Sequence, residues 1–164
     1  MTRLLAGWGL MAALLGAPLE AQEFPSGAPG RSLRVDGQQE LYFGELLTGL
    51  PSAVLRSDPV RAGRIQISGE RHSDVLVSFL LPAGLFGPGG ADVPLVFGPT
   101  DAGWSPDRDI GLQVAFDPAA PTVLELPNNG RGLIFLGGTA LPAGSLPAGD
   151  YLANVTLTIS YLGN

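Results

Sequence analysis

The chain contains no cysteine, which excludes disulfides, thiolate nucleophiles and zinc-thiolate sites and leaves the fold to be held by packing alone. Lysine is missing too: all nine basic residues are arginine, so Schiff-base and lysine-base chemistry are excluded. Positive charge is scarce, with 9 basic against 15 acidic residues and a net charge of −6 spread along the sequence. A nucleic acid or an anionic membrane surface needs a basic patch, so neither is expected as a partner. There is one histidine, His72. No apolar run reaches the roughly 20 residues that a membrane-spanning helix requires.

What the sequence does have begins at its N-terminus. Arg3 precedes an apolar run over 4–15, which Gly16, Ala17 and Pro18 break before the small residue Ala21. That is the layout of a secretory signal peptide, expected over residues 1–21. Residues 22–32, rich in Pro, Gly and Ser, are expected to be a flexible leader. Residues 33–164 are then one domain, exported to the periplasm, the cell surface or the medium. The 24 Gly and 15 Pro beside 45% hydrophobic residues mean frequent chain reversals around short apolar segments.

Those segments lie at 33–35, 40–44, 53–55, 64–68, 74–81, 93–97, 110–116, 122–126, 132–136 and 151–162, each bounded by Gly, Pro, Asp or Asn. The last is the clearest: Tyr151, Ala153, Val155, Leu157, Ile159 and Tyr161 alternate with Asn154, Thr156, Thr158 and Ser160. A period of two predicts a half-buried strand. Val75, Val77, Phe79 and Leu81 alternate likewise, as do Ile110, Leu112, Val114 and Phe116, and these three strands are expected to supply much of the core. Leu-Pro-Ala-Gly occurs at 81–84, 141–144 and 146–149, which reads as turn chemistry. Asn128-Asn129-Gly130 is a hairpin signal. The pattern predicts an all-β fold, an antiparallel immunoglobulin-like β-sandwich, with a closed barrel as competitor.

The segments Glu40-Leu41-Tyr42-Phe43-Gly44-Glu45-Leu46, Ala62-Gly63-Arg64-Ile65, Ser68-Gly69 and Pro147-Ala148-Gly149-Asp150-Tyr151, and the closing Val155-Thr156-Leu157-Thr158-Ile159-Ser160-Tyr161, resemble the bacterial domain-of-unknown-function family 4402. The resemblance covers roughly residues 39–162. It implies an exported, pilin-like domain without catalytic residues or cofactor. It further implies a C-terminal strand, carrying Tyr151, Val155, Leu157, Ile159 and Tyr161, to which a periplasmic chaperone or a neighbouring subunit adds a strand. The chain departs from such subunits in two respects: it lacks the disulfide that many pilins have, and residues 22–31 offer only Phe24 as a large apolar side chain where polymerising subunits carry an alternating apolar extension.

Several residues invite chemical readings. His72-Ser73-Asp74 has the residue types of a hydrolase triad, but neighbours in an extended chain point apart, and a triad must converge. Glu40 and Glu45 fall on opposite faces of a regular strand, which argues against paired carboxylates. Asn154-Val155-Thr156 fits a glycosylation sequon and reads as solvent-facing strand polarity. Asp101, Asp107 and Asp109, with Asp92 and Asp117, gather oxygen donors of the kind calcium takes, although no EF-hand spacing is present. Trp104 beside them is either a sugar-stacking platform or a ring folded over the edge of the domain. The alternative to a structural or adhesive surface subunit is therefore a secreted carbohydrate- or calcium-binding module using residues 98–109.

Overall fold

The alternating segments become strands in the computed structural model, which describes residues 30–162. The expected signal peptide, and the leader up to residue 29, lie outside the described residues. Twelve strands follow in order: β1 (Arg34–Gln39), β2 (Ser52–Val54), β3 (Gly63–Ser68), β4 (Asp74–Leu80), β5 (Gly84–Phe86), β6 (Asp92–Val96), β7 (Ala102–Ser105), β8 (Val114–Phe116), β9 (Thr122–Glu125), β10 (Arg131–Leu136), β11 (Gly138–Ala140) and β12 (Thr156–Tyr161). Every pairing between them is antiparallel. The protein is all-β, as its alternation and turn chemistry predict. Among the described residues no helix is long and apolar enough to cross a membrane.

Three sheets form, with strand orders β1-β3-β10-β7-β8, β12-β4-β9 and β2-β11-β6-β5. The first two share one core: Ile67, Trp104 and Ile134 from the five-stranded sheet pack with Val75, Val77 and Leu124 from the three-stranded sheet, and Leu126 joins them. Side chains of successive residues point to opposite faces of a strand, so each sheet turns one apolar row inward. Two sheets meeting across one core is the packing a β-sandwich requires. A second core joins Val54, Leu85, Val93 and Ala140 of the four-stranded sheet to Phe43 and Ala62. The strands β10 and β11 run almost without interruption through Gly137 and so tie the two cores together. Five of the six β10 residues are enclosed.

Turn chemistry fixes the crossings. Gly130 has φ +65°, and the Asn129 side chain accepts a hydrogen bond from the Arg131 amide at 2.8 Å. The expected hairpin does not form, however, because β9 and β10 belong to different sheets: the 127–130 turn carries the chain between layers. It is held by a bond from the Gly69 amide to the Gly130 carbonyl at 2.9 Å, which joins two such crossings. The Asp58 carboxylate caps another turn, accepting from the Val60 and Arg61 amides and the Arg61 guanidinium, each at 2.9 Å. Those donors hold its pKa below the ordinary carboxylate value.

Two expected strands are corrected. Residues 40–44 form no strand; Phe43 leaves the ladder to enter the second core. Within 110–116, Ile110–Leu112 is a single 3-10 turn, opened by the Asp109 carboxylate accepting from the Gly111 amide. Only β8 is extended. Leu112 and Val114 are 62% and 68% exposed, so this segment supplies the core only through Phe116 at its far end, which stacks on Phe79 with ring centroids 6.4 Å apart.

Candidate functional site

A free sheet edge presents unpaired amides and carbonyls, and proteins blunt such edges with charge, proline, bulges or brevity. The edges of this molecule can be compared on that basis. β1 carries Arg34 and Asp36 and has a register irregularity between Gly37 and Gln39. β2, β5 and β8 are three residues long. β9 has four residues, ends in Glu125 and lies between Pro121 and Pro127. β12 differs from all of them. It has six residues, Thr-Leu-Thr-Ile-Ser-Tyr, without charge or proline, and an unbroken register against β4 from Thr156 opposite Leu80 to Tyr161 opposite Val75. Its other side has no strand neighbour among the described residues.

The expected C-terminal strand is shorter than its alternation suggests. Leu157, Ile159 and Tyr161 do lie on β12 and pack against the first core. Tyr151 and Ala153 instead pack against the second, and Leu152 bridges to Phe86 through two backbone hydrogen bonds of 2.9 Å. Glycine at position 87 makes this possible, since a Cβ there would lie 2.4 Å from the Tyr151 ring. Val155, between the two segments, is 36% exposed. One alternating face is thus divided between two cores, and Tyr151 and Val155 do not belong to the edge strand. Thr156, Thr158 and Ser160 form its solvent-facing row; their alternation was visible in the sequence, but their place at an edge depends on strand order.

Tyr161 anchors the end of the strand. Its hydroxyl donates to the Arg31 carbonyl at 2.6 Å and accepts from the Glu70 amide at 2.7 Å. The side chain fits because position 69 is glycine: a Cβ there would meet the hydroxyl at 2.7 Å. The phenol therefore ties β12, the β3–β4 crossing and the Arg31 carbonyl of the expected leader together. Tyr161→Phe is expected to lower stability by about 1–3 kcal/mol, the cost of stranding a partly buried amide, as measured by urea unfolding.

The candidate residues of the 98–109 segment are not brought together at one point. Trp104 lies on β7, 7% exposed, inside the first core, paired with Ile134 of β10 and Val114 of β8. Asp101 accepts from the Gly98 amide at 2.7 Å and Asp109 from the Gly111 amide at 2.7 Å. Asp107 is exposed. The three carboxylates do not converge, and among the described residues no three acidic or histidine side chains form a metal-sized group. Short carboxylates beside a backbone turn satisfy that turn first, which is why clustering in sequence did not become clustering in space. His72, with φ +55°, places Nδ1 3.8 Å from Glu125 Oε1, both side chains well exposed; its paired carboxylate is not Asp74.

On the side away from β1 and β12, the edges β8 and β9 border an open groove of about 580 Å³, lined by Trp104, Pro106, Phe116, Leu124 and Pro127 with His72 at its rim. Val114 and Val123 flank it, the latter 52% exposed.

Fold and surface together define an all-β, antiparallel protein whose most distinctive feature is one six-residue, uncharged sheet edge, β12, with no second strand beside it among the described residues. The chain matches no protein-family model, no curated protein and no solved structure.

Proposed function

We propose that this chain is an exported, non-catalytic structural or adhesive surface protein, a pilin-like subunit that engages other polypeptides through strand edges. The observation that carries the reading is the exposed β12 edge, six residues long with no charge, proline or bulge, in a molecule whose other edges are short, bulged or charged. A free ladder of that length is completed most fully by another strand, because main-chain bonds supply affinity and alternate side chains supply register. The partners are protein subunits or a periplasmic chaperone adding a strand there. The signal-like N-terminus and the resemblance to domain-of-unknown-function family 4402 support export to the periplasm, cell surface or medium.

A binding module is the second reading. The observation favouring it is the apolar groove between β8 and β9, whose size lies in the range of about 300–1,000 Å³ that small-molecule pockets occupy. The 98–109 segment contributes to it only through Trp104 and Pro106.

The test is recovery of the protein from its own cells, with fractionation followed by size analysis under mild conditions. Ladders or fibres outside the cytoplasm are the expected result. A lone cytoplasmic monomer would overturn the proposal.

A further inference from the structure

The β12 edge also carries information about which polypeptide it accepts. A strand pairing antiparallel with a copy of itself about a two-fold axis sets the residue on the axis opposite its own copy, and every other residue opposite the one equally far beyond the axis. Like charges directly opposite are destabilising. β1, with Arg34 and Asp36, and β9, with Glu125, carry charge on their edges. β12 carries none.

Its residues also match under a two-fold. Antiparallel pairing keeps facing residues on the same side of the sheet, so the register must set outward residues against outward ones. An axis through Thr158 does this: Thr156 faces Ser160 of the second copy, Thr158 faces Thr158, and Leu157 faces Ile159. The outward row consists of Thr156, Thr158 and Ser160, all exposed, and hydroxyl pairs of this kind are favourable across strands. The inward row continues the apolar layer that Leu157, Ile159 and Tyr161 already form over the first core. An isologous contact requires such self-complementarity.

We propose that the partner at β12 is a second copy of this chain, paired antiparallel through Thr156–Ser160, so that two three-stranded sheets join into one of six strands in the order β9-β4-β12-β12-β4-β9. This inference rests on reading the β12 edge as the interaction surface and adds the identity of the partner. The open groove at β8 and β9 lies at the other side of each sheet and stays free in such a dimer.

The test is sedimentation of the purified chain over a concentration series, beside Thr158→Lys and Thr158→Glu. Thr158 faces solvent in the single chain, so both variants are expected to fold, with the far-ultraviolet circular dichroism of the wild type. Wild type is expected at twice the mass of one chain. Each variant places two like charges about 5 Å apart at the axis and is expected at the mass of one chain. Mixing the two variants in equal amounts restores the doubled mass through a Lys–Glu pair. Should Thr158→Lys fail to fold, Ser160→Glu probes the same edge at the position facing Thr156. A single-chain mass for wild type throughout the series, or a doubled mass that survives Thr158→Lys unchanged, overturns the proposal. A single-chain wild type that nevertheless comes from its own cells in ladders overturns the self-pairing and leaves the strand-edge function standing; a single chain in both experiments removes both.

Discussion

Replacing Trp104 by alanine is expected to lower the unfolding free energy by about 3–5 kcal/mol, the range measured when large buried aromatics are truncated in cores. The ring is 7% exposed and belongs to the first core, where side chains from two sheets meet. Its far edge fills the space left by a missing side chain: a Cβ at Gly132 would lie 2.2 Å from the Trp104 ring. Ile134, its partner across the ladder, is wholly buried, so little can collapse into the cavity. Urea unfolding followed by far-ultraviolet circular dichroism measures the loss. A change below about 1 kcal/mol, within the range of ordinary surface substitutions, would show that the ring is not part of the core. The same variant separates a structural tryptophan from a sugar platform, since a platform ring could be removed with stability nearly intact.

Gly137→Ala is the second large effect, expected to cost about 1–3 kcal/mol as an overpacked site, toward the upper end. A Cβ there would lie 2.4 Å from the Val54 carbonyl oxygen and 2.7 Å from the Arg56 nitrogen. Both are backbone atoms, which cannot swing aside as a long side chain can. The residue joins β10 to β11 and donates to the Asp101 carbonyl at 2.7 Å, so displacement would disturb both cores at once. Gly37→Ala is the control: nothing lies within 4 Å of the added carbon. Thermal melts of the two variants should differ by several degrees, and coincident melts would contradict the close approach at Gly137.

Local signals carried much of the strand content. Ile65 and Ile67 about Gln66, and Val75, Val77 and Phe79 about Ser78, have the period of two that a half-buried strand needs, and Ile67, Val75 and Val77 are enclosed. Short or glycine-bearing strands gave no such period. β5 (Gly-Leu-Phe), β7 (Ala-Gly-Trp-Ser) and β11 (Gly-Thr-Ala) are recognisable only from their neighbours, and β7 carries Trp104, which is why that residue read as part of a loop. Ile110, Leu112, Val114 and Phe116 show the opposite case. Their alternation is regular, yet the Asp109 cap turns the first half into a 3-10 turn, and the rest is an edge with one neighbour.

Residue type and nearest-neighbour spacing were enough for the all-β class, for the lack of thiol and lysine side chains, and for the uncharged, alternating character of the tail. Tertiary structure alone decided that this segment serves two cores and lies at a sheet edge, that Trp104 is interior, and that the carboxylates of 101–109 stay apart. Each of these is a matter of strand order and of contacts between residues far apart in the chain, such as Tyr161 with Arg31, and local periodicity contains no information about which strand lies beside which.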